Sequence, residues 1–355
     1  MNKKITRKIK LGKLSIGGGN PIYIQSMTNT DTRSVSDTLQ QVEDLAKAGC
    51  EIVRISVPDM DSVNSFIEIK DRVSVPLVSD IHFDPKLALE CIDRGCDAVR
   101  INPGNIGNKD MVIKIIESAK LKGCCIRIGV NSGSLEKELL KKYGSSNAEA
   151  LAESAINWVE FFEKFGYYNF KVSVKSSNTK ELVIANKIVS SKTDSPLHIG
   201  LTEAGTIISG LVKSSISLSK LLEEGIGDTI RISLSSDPVN EVLAAKALLK
   251  NLGLRKGLEI ISCPTCARTE IDVISIAQKL EREFSWIDSD VKIAIMGCVV
   301  NGPGEAKEAD AGIAGGKGEA VFFVNGQIIK KLSFEEAYSE LSKYIVEKAK
   351  GVING

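Results

Sequence analysis

The sequence predicts an α/β protein in which an eight-stranded βα barrel of the TIM type is followed by a small α+β domain. Helix–glycine–strand units recur along the first two thirds of the chain, with amphipathic helical stretches between them. Near residue 256 this pattern ends and a different order of elements begins. A length of 355 residues fits a large barrel and one small domain. We therefore place the barrel at residues 1–255 and the second domain at residues 256–355.

The barrel prediction depends on a weak internal repeat. Four stretches each read as the end of a helix, a glycine and a β-branched strand: KAGCEIVRIS, DRGCDAVRIN, LKGCCIRIG and EGIGDTIRIS. With four similar runs they give eight predicted strands, at 22–28, 52–58, 77–83, 98–104, 126–131, 170–177, 197–203 and 229–235. An open doubly wound sheet is the alternative. It normally has a Gly-rich dinucleotide turn after its first strand, and this sequence has none.

The second domain is predicted from a different order of elements. A strand (LEIIS) leads into the motif CPTC, and a helix (IDVISIAQKLEREF) and a strand (VKIAIMG) follow. A hairpin turning on Asn325-Gly326 and a final helix (FEEAYSELSKYIVEKA) complete the domain.

Composition excludes several classes of protein. The formal net charge of +1 gives no overall attraction to nucleic acid or to a membrane surface. The basic N-terminus is not followed by an apolar run, and no stretch is long enough to span a membrane, so we expect a cytoplasmic protein. Eight cysteines in such a protein indicate thiols or metal ligands rather than disulfides.

The barrel lumen is predicted to be unusually polar and cationic. Side chains alternate along a strand, and the positions that face the lumen would carry Arg54, Arg100 with Asn102, Arg127 with Asn131, Ser173 with Lys175, Arg231 with Ser233, Asp80 with His82, and His198 with Thr202. Only Asp80 and, at the rim, Glu203 would offset the cations. Because unpaired buried cations are costly, we expect an anionic guest, and arginine forks suit phosphate oxygens. A small diphosphate is the simplest such guest.

The cysteines fall into two groups. The first group is expected to consist of buried structural thiols, at the helix–strand junctions of the barrel or within a helix: Cys50, Cys91, Cys96, Cys124 and Cys125. The second group, in the C-terminal domain, is Cys263, Cys266 and Cys298. A redox dithiol would leave Cys298 unused, and structural zinc would need a fourth ligand. An iron–sulfur cluster can use three thiolates and leave one iron to an oxygen ligand or to substrate. Spacing alone leaves these three interpretations open.

Several motifs, taken together, resemble a known family. In order along the chain they are GGGNPIYIQSMTNTDT, VRISVP, SDIHF, VRINPGN, IRIGVN, KSS, HIGLTEAG, CPTCART and MGCVVNGPGEA. They resemble the bacterial 4-hydroxy-3-methylbut-2-enyl diphosphate synthases of the methylerythritol phosphate route to isoprenoids. CPTC followed by GCVVNGPGE is the most specific combination, and the length fits the two-domain bacterial form.

The resemblance implies the activity and the roles of individual residues. The reaction would be the reductive ring opening of 2-C-methylerythritol 2,4-cyclodiphosphate, with two electrons from ferredoxin or flavodoxin passing through a 4Fe–4S cluster in a homodimer. Cys263, Cys266 and Cys298 would bind three irons and Glu305 the fourth. Glu203 would be the proton donor, with Asp80, His82 and His198 as further candidates. The substrate-binding residues would be Arg54, Arg100, Asn102, Arg127, Asn131, Lys175, Arg231, Ser233, His82 and His198.

Two other functions remain open on the residues alone. A pterin-type barrel enzyme similar to dihydropteroate synthase would be a colourless protein with a structural zinc. An electron carrier or iron–sulfur sensor would not need four lumen arginines.

Overall fold

The computed structural model describes residues 3–106, 108–298, 306–316 and 318–352. The chain forms two compact units, Met1–Leu248 and Leu249–Gly355. The Cys298–Glu305 segment singled out above is therefore described only at Cys298, and Glu305 lies outside the described residues.

The first unit is a closed barrel of eight parallel strands, as the sequence predicts. A short N-terminal hairpin, β1 (Ile9–Leu11) and β2 (Leu14–Ile16), precedes it. The barrel strands are β3 (Tyr23–Met27), β4 (Ile52–Ser56), β5 (Leu77–Asp80), β6 (Ala98–Ile101), β7 (Cys125–Asn131), β8 (Phe170–Lys175), β9 (His198–Ile199) and β10 (Thr229–Ile230). Their spatial order is β8-β7-β6-β5-β4-β3-β10-β9, and a parallel bridge between Val172 and Leu197 joins the two ends.

Helices follow the strands and cover the barrel. They are α1 (Val35–Lys47), α2 (Met60–Arg72), α3 (Pro85–Asp93), α4 (Lys109–Lys122), α5 (Lys137–Tyr143), α6 (Ala148–Lys164), α7 (Thr179–Lys192), α8 (Ile207–Glu223) and α9 (Pro238–Asn251), with a 3₁₀ turn at Ser132–Ser134. Several begin just after a strand because an Asp or Asn side chain accepts hydrogen bonds from free N–H groups of the first turn, as Asp59, Asn108 and Asn178 do. These caps place the strand-to-helix loops at the C-terminal mouth of the barrel.

The N-terminal hairpin closes the opposite end of the barrel. Leu11 and Ile16 are fully buried against the lumen-facing residues at the start of the strands, such as Ile52 and Cys125. The hairpin turn fits closely, since a Cβ at Gly12 would lie 2.9 Å from Asp97 Oδ1. The lower end of the lumen is therefore apolar and sealed.

The second unit is an α+β domain. Its sheet has the order β11 (Leu258–Ser262), β12 (Val291–Met296), β13 (Ala311–Gly315), β14 (Ala320–Val324) and β15 (Gln327–Leu332), with β11 to β13 parallel and β13 to β15 antiparallel. Two helices, α10 (Val273–Glu283) and α11 (Phe334–Ala349), complete it. Buried residues of both helices share one core cluster with the sheet.

Strand β13, like the strands β1 and β2 of the N-terminal hairpin, is not predicted by the sequence analysis. Its sequence, AGIAG, has one β-branched residue, Ile313, among small residues that do not mark a strand. Small residues are required because the strand is central in the sheet: a Cβ at Gly312 would lie 2.4 Å from the Phe323 ring. Strands β9 and β10 are also much shorter than predicted.

No helix among the described residues is long and apolar enough to cross a membrane.

Candidate active site

The predicted lumen cations are buried inside the barrel, above the apolar layer at its lower end. Their side chains are at most 9% exposed for Arg54, Arg100, Arg127 and Lys175, whereas Arg231 is partly exposed near the mouth. The register aligns Arg100 with Asp80 on β5 and with Arg127 on β7. The alternation inferred from sequence therefore holds in these strands.

Asp80 is the carboxylate around which the upper cations gather. Its Oδ1 lies 3.3 Å from Arg100 Nη1, and its Oδ2 lies 3.7 Å from Arg54 Nε and 3.2 Å from His82 Nε2. Burial alone would raise the pKa of Asp80, but Arg54, His82 and Arg100 hold the pKa well below its usual range. Asp80 is therefore an anion that positions two arginines.

Glu241, near the start of α9, neutralises a third arginine. Its carboxylate accepts two hydrogen bonds from Arg231, from Nε and Nη2 at 3.0 Å each, and a third from Ser26 Oγ at 2.8 Å. The backbone N–H of Leu234 donates a further hydrogen bond to it at 3.0 Å. Sequence analysis omitted this carboxylate because Glu241 lies on a helix rather than on a strand. Arg231 is thus paired and fixed in orientation.

The remaining cations have no carboxylate partner among the described residues. Arg127 is 1% exposed and donates from Nε to Ser173 Oγ at 3.0 Å. Lys171 precedes Ser173 by two residues on β8 and is fully buried. Its Nζ lies 3.3 Å from Gln25 Oε1 and 3.4 Å from Thr229 Oγ1. These contacts are with neutral oxygens. The lower part of the polar lumen is therefore strongly cationic.

Four buried polar atoms of this lumen have no hydrogen-bond partner in the described structure, and all four are nitrogens. They are Gln25 Nε2, Arg100 Nε, Arg127 Nη1 and His198 Nε2. Unsatisfied buried polar groups are uncommon in native proteins and need an explanation. Unfilled nitrogen donors among unpaired cations indicate a site for a ligand rich in anionic oxygens.

Burial and the crowding of positive charge also lower the pKa values of the lumen cations. Burial, followed by the neighbouring arginines, lowers the pKa of Arg127 and Lys175 well below their ordinary values. Burial also lowers the pKa of Lys171 to about 7 and that of Arg54 to about 10. Positive charge is therefore destabilised here until a counter-charge arrives.

A glycine on β7 provides space for one of these arginines. A Cβ at Gly129 would lie 2.7 Å from Arg100 Nε, closer than real Cβ contacts allow. The space above Gly129 is therefore occupied by the Arg100 guanidinium.

Three polar residues of the predicted site differ in the hydrogen bonds and burial that the structure gives them. Both polar atoms of the Asn102 amide are used by loop groups: Nδ2 donates to Ser134 Oγ in the turn after β7, and Oδ1 accepts from the Gly104 N–H of its own loop at 3.1 Å. Asn131, in the amide orientation that satisfies both groups, accepts from Arg100 Nη2 at 3.2 Å. Ser233 is half-buried at the mouth. Asn102 therefore shapes a loop, whereas Asn131 orients a lumen arginine.

The rim of the mouth carries the candidate proton donors. Glu203 is exposed and has a φ of 51°, an uncommon backbone conformation for a residue other than glycine. His82 has half of its side chain exposed. A cavity of about 440 Å³ at this end is lined by Met27, Thr28, Asn29, Arg231, Leu234, Ser235, Ser236, Pro238 and Glu241.

The cysteine motif of the second unit lies at the ends of two neighbouring parallel strands. Cys263 follows β11, and its Sγ accepts a hydrogen bond from the Gly297 N–H at 3.1 Å, directly before Cys298. Cys266 is exposed, Cys263 and Cys298 are half-buried, and the Cys266 N–H donates to Thr269 Oγ1 at 3.0 Å. Within the ranges that the structure describes, no group of three or more His, Cys, Asp and Glu side chains is arranged to hold a metal ion.

The residues that sequence reasoning missed are Lys171, Gln25, Thr229 and Glu241. Lys171 and Thr229 have the same strand parity as residues already chosen, Ser173 and Arg231, so extending these two alternating series by two residues toward the strand start would have found them. Gln25 lies on β3, where no lumen residue was chosen. Glu241 has no such signal.

These features define a TIM-barrel enzyme with a cationic lumen. The chain belongs to the GcpE family: the description "GcpE TIM-barrel domain" matches residues 6–246, and "GcpE protein C-terminal domain" matches residues 259–347.

Its relatives share nearly its whole length. The protein of Caldanaerobacter subterraneus subsp. tengcongensis named 4-hydroxy-3-methylbut-2-en-1-yl diphosphate synthase (flavodoxin) is 53% identical over 98% of this chain and 98% of that protein. Proteins of the same name from Clostridium perfringens and Fusobacterium nucleatum subsp. nucleatum are 51% and 53% identical, covering 97% and 96% of this chain and 99% and 97% of theirs.

Among solved structures, the fold is similar to that of a dihydropteroate synthase from Burkholderia cenocepacia. The TM-score is 0.51 with 13% identity, over 71% of this chain and all of that one. This likeness shows the barrel fold alone. The pterin-enzyme alternative therefore gains no support from it.

Proposed function

We propose that this chain catalyses the reductive ring opening of 2-C-methylerythritol 2,4-cyclodiphosphate to 4-hydroxy-3-methylbut-2-enyl diphosphate. The relatives' names state the product and flavodoxin dependence. The observation in this chain that carries the proposal is the set of four unpartnered nitrogen atoms in a lumen with unpaired cations. A cyclic diphosphate presents several anionic oxygens within a small volume, which is what this lumen lacks.

The barrel residues would bind and orient the substrate. Arg127, Lys171 and Lys175 have no carboxylate partner in the part of the chain that the structure describes and would neutralise the diphosphate. Arg54 and Arg100 are positioned by Asp80. Arg231, held by Glu241, keeps only Nη1 free of that ion pair. A buried, preorganised lumen strengthens each of these contacts.

The rim would supply the proton. Breaking the C–O bond with loss of water needs a proton on the departing oxygen, and Glu203 stands exposed in the loop after β9. His82, hydrogen-bonded to Asp80, is the second candidate in the same region. Glu203 is the better candidate because the His82 ring is held by Asp80, whereas the Glu203 carboxyl has no ion-pair partner among the described residues.

The second unit would hold a 4Fe–4S cluster. The chemistry of the donor set suits a cluster: Cys263 and Cys298 follow the ends of adjoining strands, and Cys266 is the second cysteine of the CPTC motif. Cys263 also receives a backbone N–H bond of the kind that tunes cluster sulfurs. Cys263, Cys266 and Cys298 would be the thiolate ligands and Glu305, outside the described residues, the fourth. When bound, such a cluster supplies single electrons from flavodoxin or ferredoxin. We also propose a cytoplasmic homodimer, in keeping with the family.

The proposal is tested by anaerobic purification, iron and sulfide analysis, and assay of the cyclic diphosphate with reduced flavodoxin. In the same assay, Arg100→Ala should leave iron content intact and lower kcat/KM by about 100-fold or more, since two charge-assisted hydrogen bonds are lost. Arg72→Ala, an exposed helix arginine paired with Glu68, is the matched control. An iron-free, zinc-loaded protein, or unchanged kinetics for Arg100→Ala, would contradict the proposal.

A further inference from the structure

Three lumen residues that face one another form a short hydrogen-bonded series. The Lys171 ammonium lies 3.4 Å from Thr229 Oγ1, and Thr229 Oγ1 lies 2.9 Å from His198 Nδ1. All three side chains are fully buried. The other ring nitrogen, His198 Nε2, is buried without a partner in the described structure. The series therefore starts at the floor of the lumen and ends at an unfilled position.

The direction of this series is set by Lys171. Below its pKa of about 7, Lys171 is an ammonium with donors and no acceptor, so Thr229 Oγ1 must accept from it. The hydroxyl proton is then available to His198 Nδ1, the nearest acceptor that the structure gives it. A neutral imidazole that accepts at Nδ1 carries its proton on Nε2. The unfilled atom of His198 is thus an N–H donor.

The surroundings keep this imidazole uncharged. Burial, followed by Arg127, Lys175 and Lys171, holds the pKa of His198 well below its ordinary value. The charged groups that face this part of the lumen from the packed strands are Arg54, Asp80, Arg100, Arg127, Lys171, Lys175 and Arg231. Six of the seven are cations, so protonation of the His198 ring, which would add a further positive charge beside them, is disfavoured.

We propose that His198 is a fixed, neutral hydrogen-bond donor to the substrate through Nε2–H, and that Thr229 and Lys171 are positioning residues that set its tautomer. This inference rests on the proposed function, because it takes the ligand to be an oxygen-rich anion. Among the cationic donors around it, a neutral donor adds a directed contact without adding charge. It suits a bridging or hydroxyl oxygen of a cyclic diphosphate as well as a phosphate oxygen.

The tautomer can be measured directly, because the chain has only two histidines, His82 and His198. Long-range ¹⁵N–¹H spectra of full-length protein labelled at the histidine ring will show two imidazoles, and a His82→Gln variant assigns them. We expect a neutral ring with the Nε2–H pattern for His198 between about pH 5 and about pH 6, where Lys171 is an ammonium and an ordinary histidine is largely protonated. An Nδ1–H pattern or a titrating His198 would overturn the proposal.

Two substitutions at Thr229 test its positioning role. Thr229→Val is isosteric but lacks the hydroxyl, and should give a mixture of tautomers for His198; Thr229→Ser keeps the hydroxyl and should restore the pattern. The His82 signals serve as an internal check that each variant is folded. If Thr229→Val folds and His198 is unchanged, Thr229 does not set the tautomer.

The role of the donor itself is tested by kinetics of the reconstituted enzyme. His198→Gln keeps a neutral N–H donor, whereas His198→Leu does not, so kcat/KM should be about tenfold or more lower for Leu than for Gln. Equal values would remove His198 from substrate binding. If wild-type protein fails to turn over the substrate, the proposed function fails, whatever the spectra show. If it turns over but the spectra disagree, this inference alone fails.

Discussion

At the N-terminal end of the barrel, the lumen positions of β4 and β7 are Ile52 and Cys125; two residues further along the same strands they are Arg54 and Arg127. A step of two residues along each strand therefore separates an apolar layer, which the hairpin seals, from a cationic layer. In the described structure the cationic layer contains nitrogen atoms without a hydrogen-bond partner. The lower layer contributes stability. The upper layer costs stability and is explained by a ligand. Substitutions in the two layers should therefore have opposite effects on stability and activity.

Arg127→Met should have the largest effect. We expect kcat/KM to fall by about 100-fold or more, because charge-assisted hydrogen bonds to substrate are lost. The free energy of unfolding should rise by about 1–4 kcal/mol, since an unpaired buried cation is replaced by an apolar side chain. Steady-state kinetics and urea unfolding measure both. A destabilised Arg127→Met with full activity would remove the distinction between the layers.

Leu11→Ala should produce the opposite pair of effects. Leu11 is fully buried in the hairpin, so its truncation should lower the free energy of unfolding by about 2–5 kcal/mol. Activity per folded molecule should be unchanged, because Leu11 contacts the sealed end. Leu121→Ala, at a residue 86% exposed, is the control and should change stability by less than about 0.5 kcal/mol.

The substitution Lys171→Met tests the difference between the two layers through the pH dependence of the free energy of unfolding. The folded-state pKa of Lys171 is about 7, below its ordinary value of 10.5, so the unfolded chain binds the proton more tightly. The destabilisation by Lys171 is complete below about pH 7 and fades as the pH rises toward 10.5. Urea unfolding should therefore show a larger gain for Lys171→Met at about pH 6 than at about pH 9. A gain independent of pH would contradict the protonation argument.

Cys125→Ala should have the smallest effect. The thiol is fully buried in the lower layer, and burial raises its pKa to about 12, so it stays protonated and acts as a small apolar group. Removing it should lower the free energy of unfolding by about 1 kcal/mol and leave iron content and turnover unchanged. Loss of iron from Cys125→Ala would show that the two groups of cysteines are not separate.

The sequence predicted the lumen well because strand alternation is a local rule. Once β7 and β8 are recognised, the parity of Arg127 and Lys175 follows without any tertiary information. The same rule would have reached Lys171 had it been applied along the full length of β8. Strand β13 was missed for the opposite reason. Its Ala-Gly sequence reflects contact with Phe323, which no local pattern reveals.

Side-chain pairing was less predictable than side-chain direction. Glu241 reaches Arg231 from a helix, and Asn102 bonds to its own loop and to the turn after β7, although its strand parity matches that of Arg100. Both outcomes depend on loop geometry at the mouth. Residue type and spacing therefore indicated the character of the site, but not which groups remain free to bind a ligand.

Gly129 has a consequence for how variation in this chain should be interpreted. Its φ is not in the left-handed region, so its backbone would accept any residue, and the restriction comes only from the guanidinium above it. A methyl group at this position would displace Arg100 and act as a substitution of that arginine. A saturation scan should therefore group Gly129 with the charged residues of the lumen, although it has no side chain with which to touch a substrate.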